Sequence, residues 1–221
     1  MKNIVQYIRT HPHVWWSLFV PGYLAVFFTV EHFITDDYWA TQLPIDDYIP
    51  FCKYFIITYD LWAPLLFILG LYLIVKDPEG YRRYIWCLIF TFGLSTLFCV
   101  LVPNGQDLRP AVVEGNDLFA WIVRTTYAAD TNTNVFPSVH VVGVTSALYA
   151  LYRTPGLKKW RPGATVLGVV IIVSTLLVKQ HAVIDIAAGL AVGVLGWIVV
   201  YGLIGRARDK KLRKIREKDG R

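Results

Sequence analysis

Long apolar runs separated by short polar connections dominate the chain. A helix that crosses the hydrocarbon core of a membrane needs about 20 mostly apolar residues, each adding about 1.5 Å. Six segments come near this length, at about 14–29, 54–75, 84–102, 138–152, 164–178 and 182–204. The pattern therefore predicts an all-α, polytopic membrane protein with six transmembrane helices.

One predicted connection, residues 103–137, is much longer than the others. Connections of this length inside a compact domain are often functional. It contains an apolar stretch at 118–123, which is too short to cross a membrane and is predicted to form a short helix lying in the interface.

The distribution of Lys and Arg orients the predicted helices. The N-terminus, the connections 76–83 and 153–161, and the tail after residue 205 hold 18 of the 22 basic residues. Since basic residues collect on the cytoplasmic side, both termini are predicted to be cytoplasmic. We expect residues 1–205 to form one membrane catalytic domain and 206–221 a basic cytoplasmic tail. The expected location is the cytoplasmic membrane.

Composition supports a membrane protein and argues against a nucleic-acid partner. Hydrophobic residues make up 55% of the chain and charged residues 17%, with a mean hydropathy of +0.46. A soluble domain carries about a quarter charged residues. Nine of the 22 basic residues lie in the tail, directly after an apolar helix, where they favour contact with anionic membrane lipids. The three cysteines lack the paired spacing of a metal site.

Three polar clusters fall at the ends of predicted spans that face away from the cytoplasm, at 104–110, 136–140 and 179–185. Each has an ordinary explanation alone, such as a helix cap or a solvated loop residue. Their convergence on one side indicates a functional site, because ionisable groups at membrane depth are costly. Spans four and five have only about 15 apolar residues, roughly 22 Å, so the site is expected to lie below the membrane surface.

The clusters supply the parts of a nucleophilic site. His181 and Asp185 are four apart, as on one helix face, so the carboxylate can orient the imidazole as a nucleophile. His140 is a candidate general acid. Ser138 and the free N–H groups that open the fourth span favour an anion. Arg109 adds a bidentate phosphate donor.

With these residues the sequence resembles the type 2 phosphatidic acid phosphatases, whose pattern is Lys-x6-Arg-Pro, Pro-Ser-x-His and Ser-Arg-x5-His-x3-Asp. The matching segments here are Arg109-Pro110, Pro137 to His140, and Ser174-x6-His181-x3-Asp185. The resemblance implies that His181 forms a phosphohistidine and that His140 is the general acid. It also implies that the reaction uses no metal and no cofactor.

Two positions depart from the family pattern. The family Lys falls at Val102, and the Arg after Ser174 is Thr175. Lys179 and Gln106 are candidate replacements as phosphate ligands, although Lys179 could instead extend to the outer interface. The sequence also resembles the sphingolipid headgroup transferases, which keep a His/His/Asp core with other ligands.

The expected function is hydrolysis of a lipid phosphate at the outer face of the membrane. Candidate substrates are phosphatidic acid, phosphatidylglycerol phosphate and polyprenyl diphosphate. One alternative is a lipid phosphotransferase, in which a lipid alcohol replaces water. Another is a non-catalytic lipid carrier.

One acidic residue lies inside the second predicted span. Asp60 could mark a functional site by its position in the membrane. The simpler interpretation is a carboxylate near the outer interface that pairs with a neighbour.

Overall fold

The computed structural model describes residues 6–7, 9–33 and 37–205; the predicted basic tail, 206–221, lies outside the described residues. Eight α-helices are found in the described part of the chain. We label them α1 (Phe19–Phe33), α2 (Ile56–Asp60), α3 (Trp62–Lys76), α4 (Pro78–Leu101), α5 (Leu118–Ala129), α6 (Val139–Arg153), α7 (Arg161–Leu177) and α8 (Val183–Gly196).

Short irregular elements extend or connect these helices. Four 3-10 helices span Pro12–Leu18, Pro44–Tyr48, Lys53–Phe55 and Pro155–Trp160, and α8 continues as a π-helix over Trp197–Ile204. Two strands of two residues each, β1 (Trp39–Ala40) and β2 (Asn104–Gly105), pair in parallel. They join the segment after α1 to the segment after α4, so two connections at one end of the helices are held together.

Five helical segments are long and apolar enough to cross a membrane: Pro12–Phe33, Lys53–Lys76, Pro78–Leu101, Pro155–Leu177 and Val183–Ile204. The prediction of an all-helical membrane protein is therefore confirmed. The fourth predicted span forms α6, which has 15 residues. At about 1.5 Å per residue it is shorter than a membrane core, so it is not among the five.

Helix α6 lies at the centre of the protein. It packs against α3, α4, α7 and α8, and ten of its residues are buried, among them Val141, Val142, Val144 and Ala147. Apolar side chains from α3, α4 and α6 form the largest buried cluster. Its neighbours cover α6 on several sides, which explains why its sequence is apolar although the helix is too short to count as a span.

Glycines bring α8 close to α6. A side chain at Gly189 would lie 2.9 Å from the Ser138 carbonyl oxygen and from Val141 Cβ, and one at Gly193 would lie 2.3 Å from Thr145 Oγ1. Small residues of this kind let two membrane helices approach closely. The contact brings the first turn of α6 next to the first turn of α8.

The long connection folds around α5. Asp117 caps this helix by accepting hydrogen bonds from the backbone N–H groups of Phe119 and Ala120, both at 3.1 Å. Ala120 and Val123 are fully buried, whereas Trp121 is 59% exposed. The predicted short helix is confirmed, and it extends beyond the apolar stretch to Ala129, whereas its position in the membrane interface stays a prediction.

We expect Gly189→Ala to destabilise the protein. Its methyl group would meet a backbone carbonyl and a Cβ atom, neither of which can move without separating α8 from α6, at a cost of about 1–3 kcal/mol. Thermal unfolding in detergent measures the effect. Gly163→Ala is the matched control, since nothing lies within 4 Å of that added carbon. Equal Tm values for the two variants would contradict the close packing.

Candidate active site

Two histidines and a carboxylate from separate parts of the chain meet in the structure. The Nδ1 atom of His140 lies 3.1 Å from Nε2 of His181, and Nδ1 of His181 lies 3.5 Å from Oδ2 of Asp185. All three residues are buried. The backbone N–H of Ser138 donates to the Asp185 carbonyl oxygen at 3.1 Å, which joins the clusters through the main chain as well.

The start of α6 positions His140. Ser138 is the N-cap, and its Oγ accepts from the Val141 N–H at 3.4 Å, as the sequence predicts for this helix start. His140 therefore lies in the first turn. The rings of Tyr59 and Trp62 pack against its imidazole, with centroids 4.5 and 4.6 Å away. These contacts hold the ring in the orientation that faces His181.

His181 does not share a helix with Asp185, so that expectation is wrong. Helix α7 ends at Leu177, Lys179 has a φ of +55°, and α8 begins only at Val183. The backbone N–H of His181 donates to the Thr175 carbonyl oxygen at 3.2 Å. The side chains still come together because the turn folds His181 back over the first turn of α8.

Asp185 is held at the start of α8. Its Oδ2 accepts the Ala182 N–H at 2.7 Å, whereas Oδ1 is buried without a hydrogen-bond partner among the described residues. The Nδ1 atom of His181 also lacks a hydrogen-bond partner there. The two groups belong to neighbouring side chains, and a hydrogen bond from an imidazole to a carboxylate is the pairing that orients a catalytic histidine.

Arg109 lies close to this triad because it contacts Gln180, the residue before His181. Its guanidinium donates to the Gln180 Oε1 and to the carbonyl oxygens of Asp130 and Thr131, the latter two at 2.9 and 2.6 Å. It also stacks 4.4 Å over the Tyr127 ring. The Nε–H is buried with no partner among the described residues, so one donor remains unused.

The polar groups of Lys179 and Gln106 are directed to protein partners. The Lys179 ammonium donates to the Asp46 carbonyl oxygen at 2.9 Å. The Gln106 side chain donates to the Lys179 carbonyl oxygen at 2.8 Å and accepts the Leu108 N–H at 2.6 Å. This geometry favours support of the turn before His181 over direct contact with phosphate.

Asp46 has a structural role that the sequence did not reveal. Its carboxylate accepts the Val183 N–H and the Leu43 N–H, both at 2.8 Å, and the side chain is 1% exposed. It thus fixes the segment 44–48 to the first turn of α8. In sequence Asp46 is one of several acids in an outer connection, and nothing in its spacing points to residue 183.

A second group of polar residues lies beside the histidines. Asp130 Oδ2 accepts from the Tyr59 hydroxyl at 3.2 Å and from the Gln180 amide at 3.4 Å. The buried carboxylate of Glu31 accepts the N–H and hydroxyl of Thr131 at 2.7 and 2.6 Å. Desolvation, with a further contribution from Glu31, raises the pKa of Asp130 to about 6. In the sequence Glu31 follows the first predicted span and Asp130 lies inside the connection 103–137, and nothing there places the two acids together.

A cavity of about 390 Å³ opens beside His140. Helices α2, α3 and α5 form its walls, and the remaining lining comes from His140 and Asp130. The side chains that line it are Tyr59, Asp60, Trp62, Ala63, Trp121, Ile122, Thr125, Thr126, Ala129, Asp130 and His140. A substrate could therefore reach the general-acid candidate from between α3 and α5.

No cluster of three or more His, Cys, Asp or Glu side chains suited to a metal ion is present in the ranges that the structure describes.

We expect the stability of the protein to depend on Asp130 in a defined pH window. Its folded pKa is raised above the ordinary 3.8, so the folded state binds more protons and stability falls as pH rises from about 4 to about 6. Asp130→Asn removes this loss of stability, which is about 3 kcal/mol for a pKa raised from 3.8 to about 6. The Tm of the variant minus that of wild type should be larger at pH 7.5 than at pH 4.5.

The exposed acid of the same connection gives the control. The Tm difference between Glu114→Gln and wild type should be the same at both pH values. The same result for Asp130→Asn would show that this carboxylate carries no desolvation cost.

Comparison with known proteins gives one match. The sequence model of the PAP2 superfamily matches residues 25–199 of the 221, a range that contains both histidines, Asp185 and Arg109. Searches of curated proteins and of solved structures found no significant match. The matched range covers most of the chain and the whole candidate site, and the protein belongs to the PAP2 superfamily.

Proposed function

We propose that the protein is a lipid phosphate phosphatase that works through a phosphohistidine. Membership of the PAP2 superfamily supports phosphatase-type activity on lipid phosphates. The observation that carries the mechanism is the contact of 3.1 Å between His140 Nδ1 and His181 Nε2, with Asp185 behind His181. The substrate class is a lipid phosphomonoester or diphosphate.

In the first step Nε2 of His181 attacks phosphorus. The N–P bond forms, the bond from phosphorus to the leaving oxygen breaks, and His140 gives its proton to that oxygen. The Asp185 carboxylate accepts the Nδ1–H of His181 and stabilises the positive charge that develops on the ring. In the second step His140 takes a proton from water, the water oxygen bonds to phosphorus, and the N–P bond breaks to release phosphate.

Substrate must open the contact between the two histidines. Nε2 of His181 now faces Nδ1 of His140, and a separation of 3.1 Å leaves no room for a phosphoryl group between them. The nitrogen that attacks is thus occupied until substrate binds. Rotation of His181 toward the unpartnered Asp185 Oδ1 would free Nε2 and complete the pair with the carboxylate.

Arg109 and the start of α6 are the proposed phosphate ligands. The unused Nε–H of Arg109 and the backbone N–H groups after Ser138 supply donors near the histidines. Lys179 and Gln106 are proposed to hold the turn before His181 instead. The Lys179 ammonium already donates to the Asp46 carbonyl oxygen, and the Gln106 side chain already bonds to the Leu108 N–H and the Lys179 carbonyl oxygen. With one cation where the family pattern has three, we expect a phosphomonoester to be preferred over the more highly charged diphosphate.

Headgroup transfer is the second candidate. The cavity beside His140 has a volume of about 390 Å³ and a largely apolar lining. It offers more space than a water molecule needs. A lipid alcohol held there could replace water in the second step, with His140 taking its proton. Phosphate would then remain bonded to lipid and none would be released.

We further propose six membrane crossings, with the site on the outer face of the cytoplasmic membrane. The proposal counts α6 as a crossing within the bundle. It is supported by the placement of 18 of the 22 basic residues on one side. The two histidines and Arg109 then lie at the opposite end of the helices.

We expect the purified protein to release inorganic phosphate from a lipid phosphate in detergent with EDTA present. His181→Ala should abolish the N–P intermediate and lower the rate at least 1,000-fold, on the order expected for loss of a nucleophile. His140→Ala should slow the release of the leaving alcohol about 100-fold or more. The assay panel is phosphatidic acid, phosphatidylglycerol phosphate and a polyprenyl diphosphate.

A labelled lipid phosphate separates the outcomes. Acid-labile, alkali-stable label on the wild-type protein but not on His181→Ala would support the phosphohistidine. Label that moves to an added lipid alcohol without phosphate release would favour the transferase. If folded protein showed no His181-dependent turnover of any lipid, the non-catalytic lipid carrier would be the remaining function.

The proposed topology predicts which introduced cysteines are accessible. In a Cys52→Ser background, Glu114→Cys should react with a membrane-impermeant maleimide in intact cells, and Lys158→Cys should react only after permeabilisation. Both positions are exposed, and the remaining Cys87 and Cys99 are buried. The reverse labelling pattern would place the site in the cytoplasm.

A further inference from the structure

The cavity beside His140 has an unusual lining for a site that handles phosphate. Two of its side chains are carboxylates, Asp60 and Asp130, and none of the described residues that line it is Lys or Arg. An anion placed there would be repelled. The cavity therefore suits a different part of the substrate from its phosphate.

Aromatic rings form much of the wall. Tyr59 and Trp62 are held against the imidazole of His140, and Trp121 projects from α5 with 59% of its surface exposed. Aromatic faces attract ammonium and trimethylammonium groups, and cages of such rings are the usual sites for quaternary ammonium ligands. Three rings and two carboxylates around one cavity are the combination that recognises an organic cation.

The carboxylates are not balanced by nearby cations. Asp60 has no partner among the described residues, so the interpretation that it pairs with a neighbour finds no support in the contacts. Asp130 and the buried Glu31 face a single guanidinium, that of Arg109. With Asp60 included, this region holds three acids and one base. A cation in the cavity would reduce the excess of negative charge at membrane depth.

We propose that the cavity binds the ammonium group of an amino alcohol that is the leaving group of the substrate's phosphate ester. This inference rests on the proposed function. His140, the proton donor to the leaving oxygen, lines the cavity, whereas the nucleophile His181 is not among its lining residues. The leaving side of the ester therefore faces the rings and carboxylates.

The chemistry of transfer is unchanged by this cation. His181 Nε2 bonds to phosphorus, the ester P–O bond breaks, and the proton of His140 goes to the alcohol oxygen. The ammonium keeps its proton or methyl groups throughout. Its positive charge offsets one phosphate charge, which compensates for the family Lys and Arg that are replaced here by Val102 and Thr175.

Two lipids present this chemistry, a phosphomonoester of the class proposed above and a phosphodiester that would extend that class. In a long-chain amino alcohol phosphate the amine and the chain leave together, whereas in an ethanolamine phospholipid only the small amino alcohol leaves. We use sphingosine 1-phosphate and a phosphatidylethanolamine as probes, each beside its N-acetylated form, which keeps the shape of the ester and removes the charge. Phosphate release reports the first pair, and ethanolamine or N-acetylethanolamine release reports the second.

We expect kcat/KM to favour the amine over its acetylated form by about tenfold or more in one of the two pairs. Asp60→Asn and Trp121→Leu should each reduce that preference severalfold, mainly by lowering kcat/KM for the amine substrate. Both residues are exposed, so neither change is expected to prevent folding. Glu114→Gln, an acid of the same connection outside the cavity, should keep the full preference.

A binding measurement separates this inference from the catalytic one. Tetramethylammonium chloride should quench tryptophan fluorescence saturably at constant ionic strength, and Asp60→Asn or Trp121→Leu should abolish the saturation. His181→Ala should retain it. Turnover that depends on His181 without amine preference, or the absence of saturable quenching, would overturn the ammonium site. Saturable quenching without His181-dependent turnover would overturn the proposed reaction and leave the site.

Discussion

The site depends on the close approach of two helix starts. The backbone N–H of Ser138, which caps α6, donates to the carbonyl oxygen of Asp185 in the first turn of α8. The approach is possible because Gly189 has no side chain to meet the α6 backbone. This contact fixes the first turn of α6, which carries His140, beside the first turn of α8, which carries Asp185. A helix start also leaves N–H groups without intrahelical partners, which is where an anion is best received.

Around that contact lie buried acids, and the two positions where the family pattern has bases are Val102 and Thr175. Asp46, Asp130 and Glu31 are each hydrogen-bonded to backbone or side-chain donors of other segments. Unpaired charges in such surroundings would be costly, and these bonds offset the cost. The carboxylates therefore organise the outer end of the helix bundle, and Arg109 serves as much to neutralise them as to meet substrate. The balance of charge at the site differs from that implied by the family motif alone.

Much of the fold could be read from hydropathy, because a membrane imposes a length on each helix that the sequence displays directly. The triad of His140, His181 and Asp185 was predictable for a similar reason, since each lies at the end of an apolar run. The roles of Lys179 and Gln106 were not predictable, because their partners are backbone atoms brought near by the turn at residue 179. Asp46 bonds to Val183, 137 residues away in sequence, and Asp130 bonds to Gln180, 50 residues away. No local sequence pattern predicts such pairs.

The buried acid of the first crossing has a consequence for synthesis. Glu31 lies near the end of the segment Pro12–Phe33, and its hydrogen-bond donors belong to Thr131, 100 residues later in the chain. When the first helix leaves the ribosome, its carboxylate therefore has no protein partner and must stay hydrated at the membrane edge. The last residue of the triad, Asp185, emerges later still. Newly made chains thus pass most of their insertion without an assembled candidate site, which forms only when the final helix closes against α6.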